Sequence, residues 1–376
     1  MFTALIGGDV CPIRRNQQYF ISGDTSALFN DTLDLFQSVD LSIVNLECPL
    51  IDEASPKEKA GPIIGGDSRS IYVLKKAGIN VLNLANNHIL DHGSEGLQNT
   101  ISLCKKTGLS FVGAGKDIDE ASQVLIFKIG DFKIGILGYA EQECSIASTT
   151  SAGANPLSLM DYVRKIKYCK KELDYIIVLL HAGKEYYPYP PPELQKICRF
   201  IIEEGANAVI CQHSHCAGAY ENYGGGHIVY GQGNLIFDAY PRIDDVWCQG
   251  YLIKLVIDGD RKSEMELIPY IQSDNEIGVR KMSDKNALLF LNDLKNLSEQ
   301  IQDNEFIENE WASFCKRFQY DYFSIFRGHN RLFRFLNRKF HFSDSFYSRQ
   351  NCLALQNIIR CESHREAVLK ILDNFK

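Results

Sequence analysis

Through about residue 272 the chain alternates short apolar runs with amphipathic stretches. The runs Phe2–Gly7, Leu41–Leu46, Asn80–Ala85, Val124–Ile129, Lys133–Gly138, Tyr175–Leu180, Ala208–Cys211, Ile228–Tyr230 and Tyr251–Ile257 are rich in Ile, Val and Leu. Most are flanked by Gly, Asp or Asn, the pattern of buried strands. Helical periodicity lies between them, at Ser26–Val39, Ser68–Lys76, Ser94–Lys106, Leu159–Lys171 and Pro192–Glu204. The last opens with proline in its first turn and stops at Gly205, a start-and-stop pair that fits helix-end chemistry. Strands alternating with helices predict an α/β fold around a buried sheet.

Past residue 272 the alternation ends, and the pattern predicts a mostly helical region with helices at Asn286–Gln300 and Gln350–Phe375. The expected organisation is an α/β unit over 1–275 and a helical C-terminal region over 276–376. Phe290, Leu291, Leu294, Leu297 and Ile301 form an apolar stripe that needs a partner.

Composition narrows the class. With 376 residues, 45% hydrophobic and 23% charged, the chain is neither disordered nor fibrous. A net charge of −7 excludes a generic nucleic-acid binder, and no sequence-specific nucleic-acid partner is expected. Residues 280–376 run against that balance, with 16 Lys and Arg against 12 Asp and Glu. Arg327, Arg331, Arg334 and Arg338 are spaced along one helical face. That face reads as a solvated surface or as a docking surface for a polyanion or an anionic membrane surface.

No apolar run approaches the ~20 residues of a membrane helix, and Met1–Val10 shows no basic leader or cleavage-like site. The twelve cysteines are scattered without close CxxC pairs, and several sit inside apolar runs. Both points lead to the expectation of a cytoplasmic, reducing compartment, with peripheral membrane association left open.

The chemistry is concentrated where strands end. Asp9 follows the first strand, Glu47 the second, Asn86, Asn87 and His88 the third, His181 the run 175–180, and His213 and His215 the run 208–211. In α/β sheets, sites form at the carboxyl ends of strands. Taken alone, the others read as a turn, a cap or a hydrogen-bonded histidine, whereas Glu47, a carboxylate ending an apolar strand, needs a partner. Together, carboxylate, imidazole and amide oxygen make the mixture that Zn, Mn or Fe accepts.

The chain resembles the bacterial capsule-synthesis CapA / poly-γ-glutamate-synthesis family, a branch of the calcineurin-like metallophosphoesterase superfamily. The resemblance is carried by Gly8-Asp9-Val10-Cys11-Pro12-Ile13-Arg14, Asn45-Leu46-Glu47-Cys48-Pro49-Leu50, Ala85-Asn86-Asn87-His88-Ile89-Leu90-Asp91-His92-Gly93, His181-Ala182-Gly183-Lys184-Glu185-Tyr186, Gln212-His213-Ser214-His215 and Tyr230-Gly231-Gln232-Gly233-Asn234-Leu235-Ile236-Phe237-Asp238. These stretches cover about residues 3–240.

The resemblance implies a four-layer metallophosphoesterase-like sandwich with a centre of two divalent metal ions. Glu47 would bridge them, Asp9 and His215 would complete one, and Asn87, His181 and His213 the other. His88 would stand beside the leaving group. The implied activity is metal-dependent hydrolysis of a phosphoester, or of an amide in a γ-linked glutamate polymer, on an anionic small-molecule or polymer substrate. A non-catalytic binding or assembly component of a polymer-synthesis system is the alternative.

Two positions depart from the superfamily pattern. Cys11 stands where it usually has histidine, so it is either an extra thiophilic ligand or a packed thiol. The bridging carboxylate is Glu rather than Asp. Arg14, Glu185 and Tyr186 are the expected substrate contacts, and Asp91 and His92 are expected to support the histidines from behind.

Overall fold

The computed structural model describes residues 1–59, 61–143, 145–241, 244–325, 331–341, 343, 347–360, 364, 368 and 372. The chain divides into two compact units, Met1–Ile307 and Glu308–Lys376.

All nine expected strands form, several one to four residues longer than expected, while Asn80–Ala85 narrows to Val81–Asn83 and Val124–Ile129 to Leu125–Ile129. One sheet runs Val279–Lys281, Ser263–Gln272, Gln249–Ile257, Phe2–Cys11, Leu41–Leu46, Val81–Asn83, Ser110–Val112, with Asn234–Phe237 also pairing along Phe2–Cys11. The other runs Tyr220–Tyr223, Gly226–Val229, Ala208–Gln212, Tyr175–His181, Phe132–Ala140, Leu125–Ile129. Phe2–Cys11, Leu41–Leu46, Val81–Asn83 and Ser110–Val112 are parallel, as are Phe132–Ala140, Tyr175–His181, Ala208–Gln212 and Gly226–Val229.

Alternate residues of the two sheets meet in one core, with Ile6, Ile43 and Ile253 among Ile136, Ile177 and Ile210. The outer face of the first sheet packs Phe20, Leu74 and Leu97 from helices Arg14–Ser22, Ser70–Lys76 and Gly93–Thr107. The outer face of the second packs Tyr162, Ile166, Cys198 and Ile201 from helices Leu159–Cys169 and Pro192–Glu204. Helix, sheet, sheet, helix is the expected four-layer α/β sandwich.

Three expectations are corrected. The stretch 26–39 is not one helix: it breaks into Thr25–Phe29, a 3-10 turn at Asn30–Thr32, and Leu33–Gln37. Asn30 causes the break, with φ at 43° and its amide bonded to the carbonyls of Ala27 and Val279. The strand Ser263–Gln272 was not predicted, because Pro269 and three charged or polar positions in its first half mask the pattern. The unit boundary lies at 307 rather than 275. Helix Asp284–Gln300 belongs to the first unit, where Leu294 and Ile301 are buried with the sheet residues. The expected stripe thus has its partner.

The second unit contains most of helix Asn304–Ile325, with Arg331–Phe340 and Arg349–Arg360. Buried Asn337 donates to the Tyr320 carbonyl at 3.1 Å and to Ser324 Oγ at 2.9 Å. Of the four arginines on the expected face, Arg338 is paired with Asp321, Arg331 is exposed, Arg334 is half-buried, and Arg327 lies outside the described residues. No described helix is long and apolar enough to cross a membrane.

Candidate metal centre

The two sheets are tied together where their strands end. Asn83 Nδ2 donates to Gln212 Oε1 at 3.1 Å, and Gln212 Nε2 donates to the Gly7 carbonyl at 3.1 Å. These bonds join three strands at one place: Val81–Asn83 and Phe2–Cys11 of the first sheet and Ala208–Gln212 of the second. Asp9 does not follow its strand but lies inside Phe2–Cys11, at a register shift that re-aims its carboxylate. Glycine permits the shift: a Cβ on Gly8 would stand 2.0 Å from the Gly233 carbonyl oxygen.

Glu47 is wholly buried, and neither of its carboxylate oxygens has a hydrogen-bond partner. Around it stand His215 Nε2 at 3.5 Å and His181 Nε2 at 3.8 Å. His181 Nε2 lies 3.1 Å from both Asn87 Oδ1 and His213 Nδ1, and His215 Nδ1 lies 3.5 Å from Asp9 Oδ2. Ligand atoms of Glu47, His181 and His213 fall within 4.8 Å of one another, as do those of Asp9, Glu47 and His215. The six residues expected from sequence therefore converge, with Glu47 common to both groups.

Burial is the first influence on their electrostatics. Burial, then the charge of Asp9, pushes the Glu47 carboxyl well up. Burial and the neighbouring His213 push His181 well down, and burial and His215 push His213 down to about 4. Burial opposes charge on Asp9, but hydrogen bonds from His215 and Asn45 and the charges of His181 and His215 hold it at about 2. His215 is pushed down by burial, yet bonding to Asp9 raises it overall. His181 and His213, held neutral and facing the orphaned Glu47 carboxylate, are in the state in which a divalent ion binds, and carboxylate with imidazole at both groups is donor chemistry that fits divalent metal.

The local backbone is strained: φ is 102° at His213, 54° at His215 and 59° at Tyr186, unusual for residues other than glycine. Supporting groups orient the ligands. Asn45 Nδ2 donates to Asp9 Oδ1 at 2.8 Å and lies 3.4 Å from His181 Nδ1, and Asn234 Oδ1 holds His215 Nδ1 at 2.9 Å. His88 Nδ1 is 2.7 Å from Asp91 Oδ2, as expected for Asp91. His92 Nδ1 instead accepts from the Ser55 amide at 2.9 Å and supports no ligand. Asn45 and Lys59, which pairs with Asp91, were not singled out from sequence. Asn45 sits inside an apolar strand, which was its available signal.

The other sequence candidates separate. Tyr186 is at the site, its ring 6.4 Å from His215 and 5.9 Å from Trp247. Glu185 is exposed, but its charge acts on Glu47, His213 and His215. Arg14 is exposed and donates to the Tyr240 carbonyl at 2.6 Å. Cys11 is packed with Cys48, Phe237, Trp247 and Cys248, and burial, then Cys48, pushes its thiol well up. Those are the surroundings of a packed thiol, and Cys11 belongs to neither of the two carboxylate–histidine groups.

The chain is thus a four-layer α/β sandwich carrying two overlapping carboxylate–histidine groups of a kind that could hold metal ions. Residues 3–239 match the family model described as bacterial capsule synthesis protein PGA_cap, and the chain belongs to that family. It is 26% identical over 297 residues to the capsule biosynthesis protein CapA of Bacillus anthracis, spanning 76% of this chain and 71% of that one. It is 27% identical over 242 residues to the PGA biosynthesis protein CapA of Bacillus subtilis, spanning 63% and 64%. A probable polyglutamine synthesis accessory protein of Mycobacterium tuberculosis is 24% identical over 229 residues, spanning 57% and 59%. Among solved structures, the calcineurin-like phosphoesterase YfkN from Bacillus subtilis covers 79% of this chain and 98% of its own, at 14% identity and a TM-score of 0.42.

Proposed function

We propose that this chain is a metal-dependent hydrolase of capsule or surface-polymer production, cleaving a phosphoester or a γ-glutamyl amide. The observation that carries the reading is Glu47, a fully buried carboxylate with both oxygens unpartnered between two histidine groups. Asp9, Glu47 and His215 would hold one divalent ion, and Asn87, Glu47, His181 and His213 the other. Bound there, such ions polarise an ester or amide oxygen and lower the pKa of water.

The chain's own residues do the rest. Asp91 occupies His88 Nδ1 and leaves Nε2 as the ring nitrogen for a leaving-group oxygen. Tyr186 and Trp247 wall the His215 side and limit water there. Beyond Tyr186 opens a cavity of about 250 Å³, bordered by Pro188, Phe290, Asp293 and Leu294, with room for a leaving group.

The test is metal analysis of the purified protein with a screen of phosphoester and γ-glutamyl substrates. Two divalent ions per chain are expected, with turnover that His88→Asn abolishes while metal content stays intact. The second reading, a non-catalytic assembly component, is favoured by the packed Cys11 thiol, which withholds a ligand beside Asp9, and by the accessory role in the mycobacterial relative's name. Full metal loading with no turnover on either substrate class would select it.

A further inference from the structure

Behind His88 lies a second polar cluster that the metal groups do not use. The stretches 52–59 and 61–64 have no regular secondary structure and are largely exposed. Several of its bonds converge on two neighbouring residues. The Ser55 amide donates to His92 Nδ1 at 2.9 Å, and the Lys57 amide donates to the Asp91 carbonyl at 2.8 Å. The Ile64 amide donates to Asp91 Oδ2 at 2.8 Å, and Lys59 Nζ binds Asp91 Oδ1.

Lys59 is the exception in this exposed segment. Its side chain is only 5% exposed and its partner Asp91 is 0% exposed, so the ion pair is desolvated. The ammonium also stands 3.3 Å from His88 Nδ1 and 3.4 Å from the Asn87 carbonyl oxygen. An ammonium is donor-only and a carboxylate is acceptor-only. Asp91 therefore requires the proton of His88 on Nδ1, and Lys59 and His88 donate to opposite oxygens of one carboxylate. Without Lys59, a buried carboxylate oxygen loses its charge partner, and the Ile64 amide on the other oxygen is left alone to hold Asp91 against the imidazole.

We propose that Lys59 is a positioning residue for His88. Its ammonium fixes the Asp91 carboxylate, which in turn fixes the imidazole with Nδ1 protonated and Nε2 turned to the reacting centre. The role would be supplied by a loop some thirty residues away in sequence. Its kinetic consequence rests on the hydrolase reading; its geometric consequence does not.

The test uses the full chain loaded with manganese. Lys59→Met keeps the stem and removes the charge. Its kcat for bis(p-nitrophenyl) phosphate is expected to fall at least tenfold, with KM and bound manganese within twofold of the parent. Lys59→Arg, which keeps a cationic donor, should recover most of the loss, and Glu58→Gln should leave kcat unchanged. A Lys59→Met kcat within twofold of the parent, or a loss that tracks lost manganese, overturns the assignment. Should the parent turn over nothing, the hydrolase reading fails and Lys59 is judged by NMR alone, on chain loaded with diamagnetic zinc. The parent is expected to show a slowly exchanging low-field Nδ1–H signal, assigned to His88 by its absence in His88→Asn. In Lys59→Met that proton should exchange at least tenfold faster, and unchanged exchange overturns the proposal. Where circular dichroism shows that Lys59→Met does not fold, Lys59→Gln replaces it under the same thresholds.

Discussion

Glu47 follows a six-residue strand that is buried at every position, so its carboxylate is delivered into the protein rather than to solvent. An isolated carboxylate in such surroundings is unfavourable by several kcal/mol or shifts its pKa until it is neutral. A bridging role removes the conflict, because the charge is then shared between cations. Glu47→Gln should therefore purify with less than half the parent's divalent metal by elemental analysis; parental stoichiometry would sink the bridging role. A nearby carboxyl gives a prediction with the opposite sense. Burial raises Glu141 to about 6, from a usual 4.5. A raised carboxyl favours the folded state fully below pH 4.5 and loses that contribution as pH climbs through 6. At pH 7.5 the ionised side chain thus opposes folding by about 1–2 kcal/mol. Glu141→Gln should raise the melting temperature at pH 7.5 and lose that advantage by pH 4.5. These positions differ in how readable they were. Glu47 and the histidines stand out because each ends an apolar run. Lys59 does not, since nothing in Ser-Pro-Lys-Glu-Lys distinguishes a lysine that folds inward from its solvated neighbours.

At the scale of elements, the nine apolar runs were legible because burial on both faces leaves an unbroken Ile, Val and Leu signal. Two strands with mixed polar patterns were not. Ser263–Gln272 alternates polar with apolar residues and contains proline, and Tyr220–Tyr223 is four polar or aromatic residues. The crossing of Phe2–Cys11 with the turn before Asn234–Phe237 was also hidden, although both glycines lie in motifs quoted for the family resemblance. Gly233 takes φ 77°, and a Cβ there would meet the Gln249 carbonyl oxygen at 2.6 Å, while Gly8 has the Gly233 carbonyl above it. Both obstacles are backbone atoms, which cannot swing aside. Gly8→Ala should consequently destabilise by about 3 kcal/mol, the upper part of the overpacking range. It should also weaken metal retention, because the residue that follows is Asp9. A variant melting within about 2 °C of the parent, with full metal content, would show that the strands separate without cost to the site.

For the whole molecule, the informative disagreement is where the first unit ends. Charge and the loss of alternation both change near residue 275, yet the fold continues to Ile307. The reason is packing. Leu294 is 2% exposed and Ile301 is fully buried, and Gln195 Nε2 donates to the Ile301 carbonyl at 2.9 Å. Ser298 Oγ accepts from the Tyr220 amide at 3.0 Å, so the helix also caps an edge of the second sheet. Periodicity showed that the stripe needed a partner, but one sequence has no way to say which surface supplies it. Two truncations follow. A chain ending at 275 exposes the sheet residues that Leu294, Leu297 and Ile301 cover, and should aggregate or melt well below the parent. A chain ending at 310 keeps that cover, and should stay monodisperse by light scattering and bind parental metal. Leu294→Ala in the full chain isolates the same contact, with an expected loss of about 2–5 kcal/mol in denaturant unfolding. If the chain ending at 275 proves as stable and as metal-loaded as the one ending at 310, helix Asp284–Gln300 is an appendage and not a wall of the sandwich.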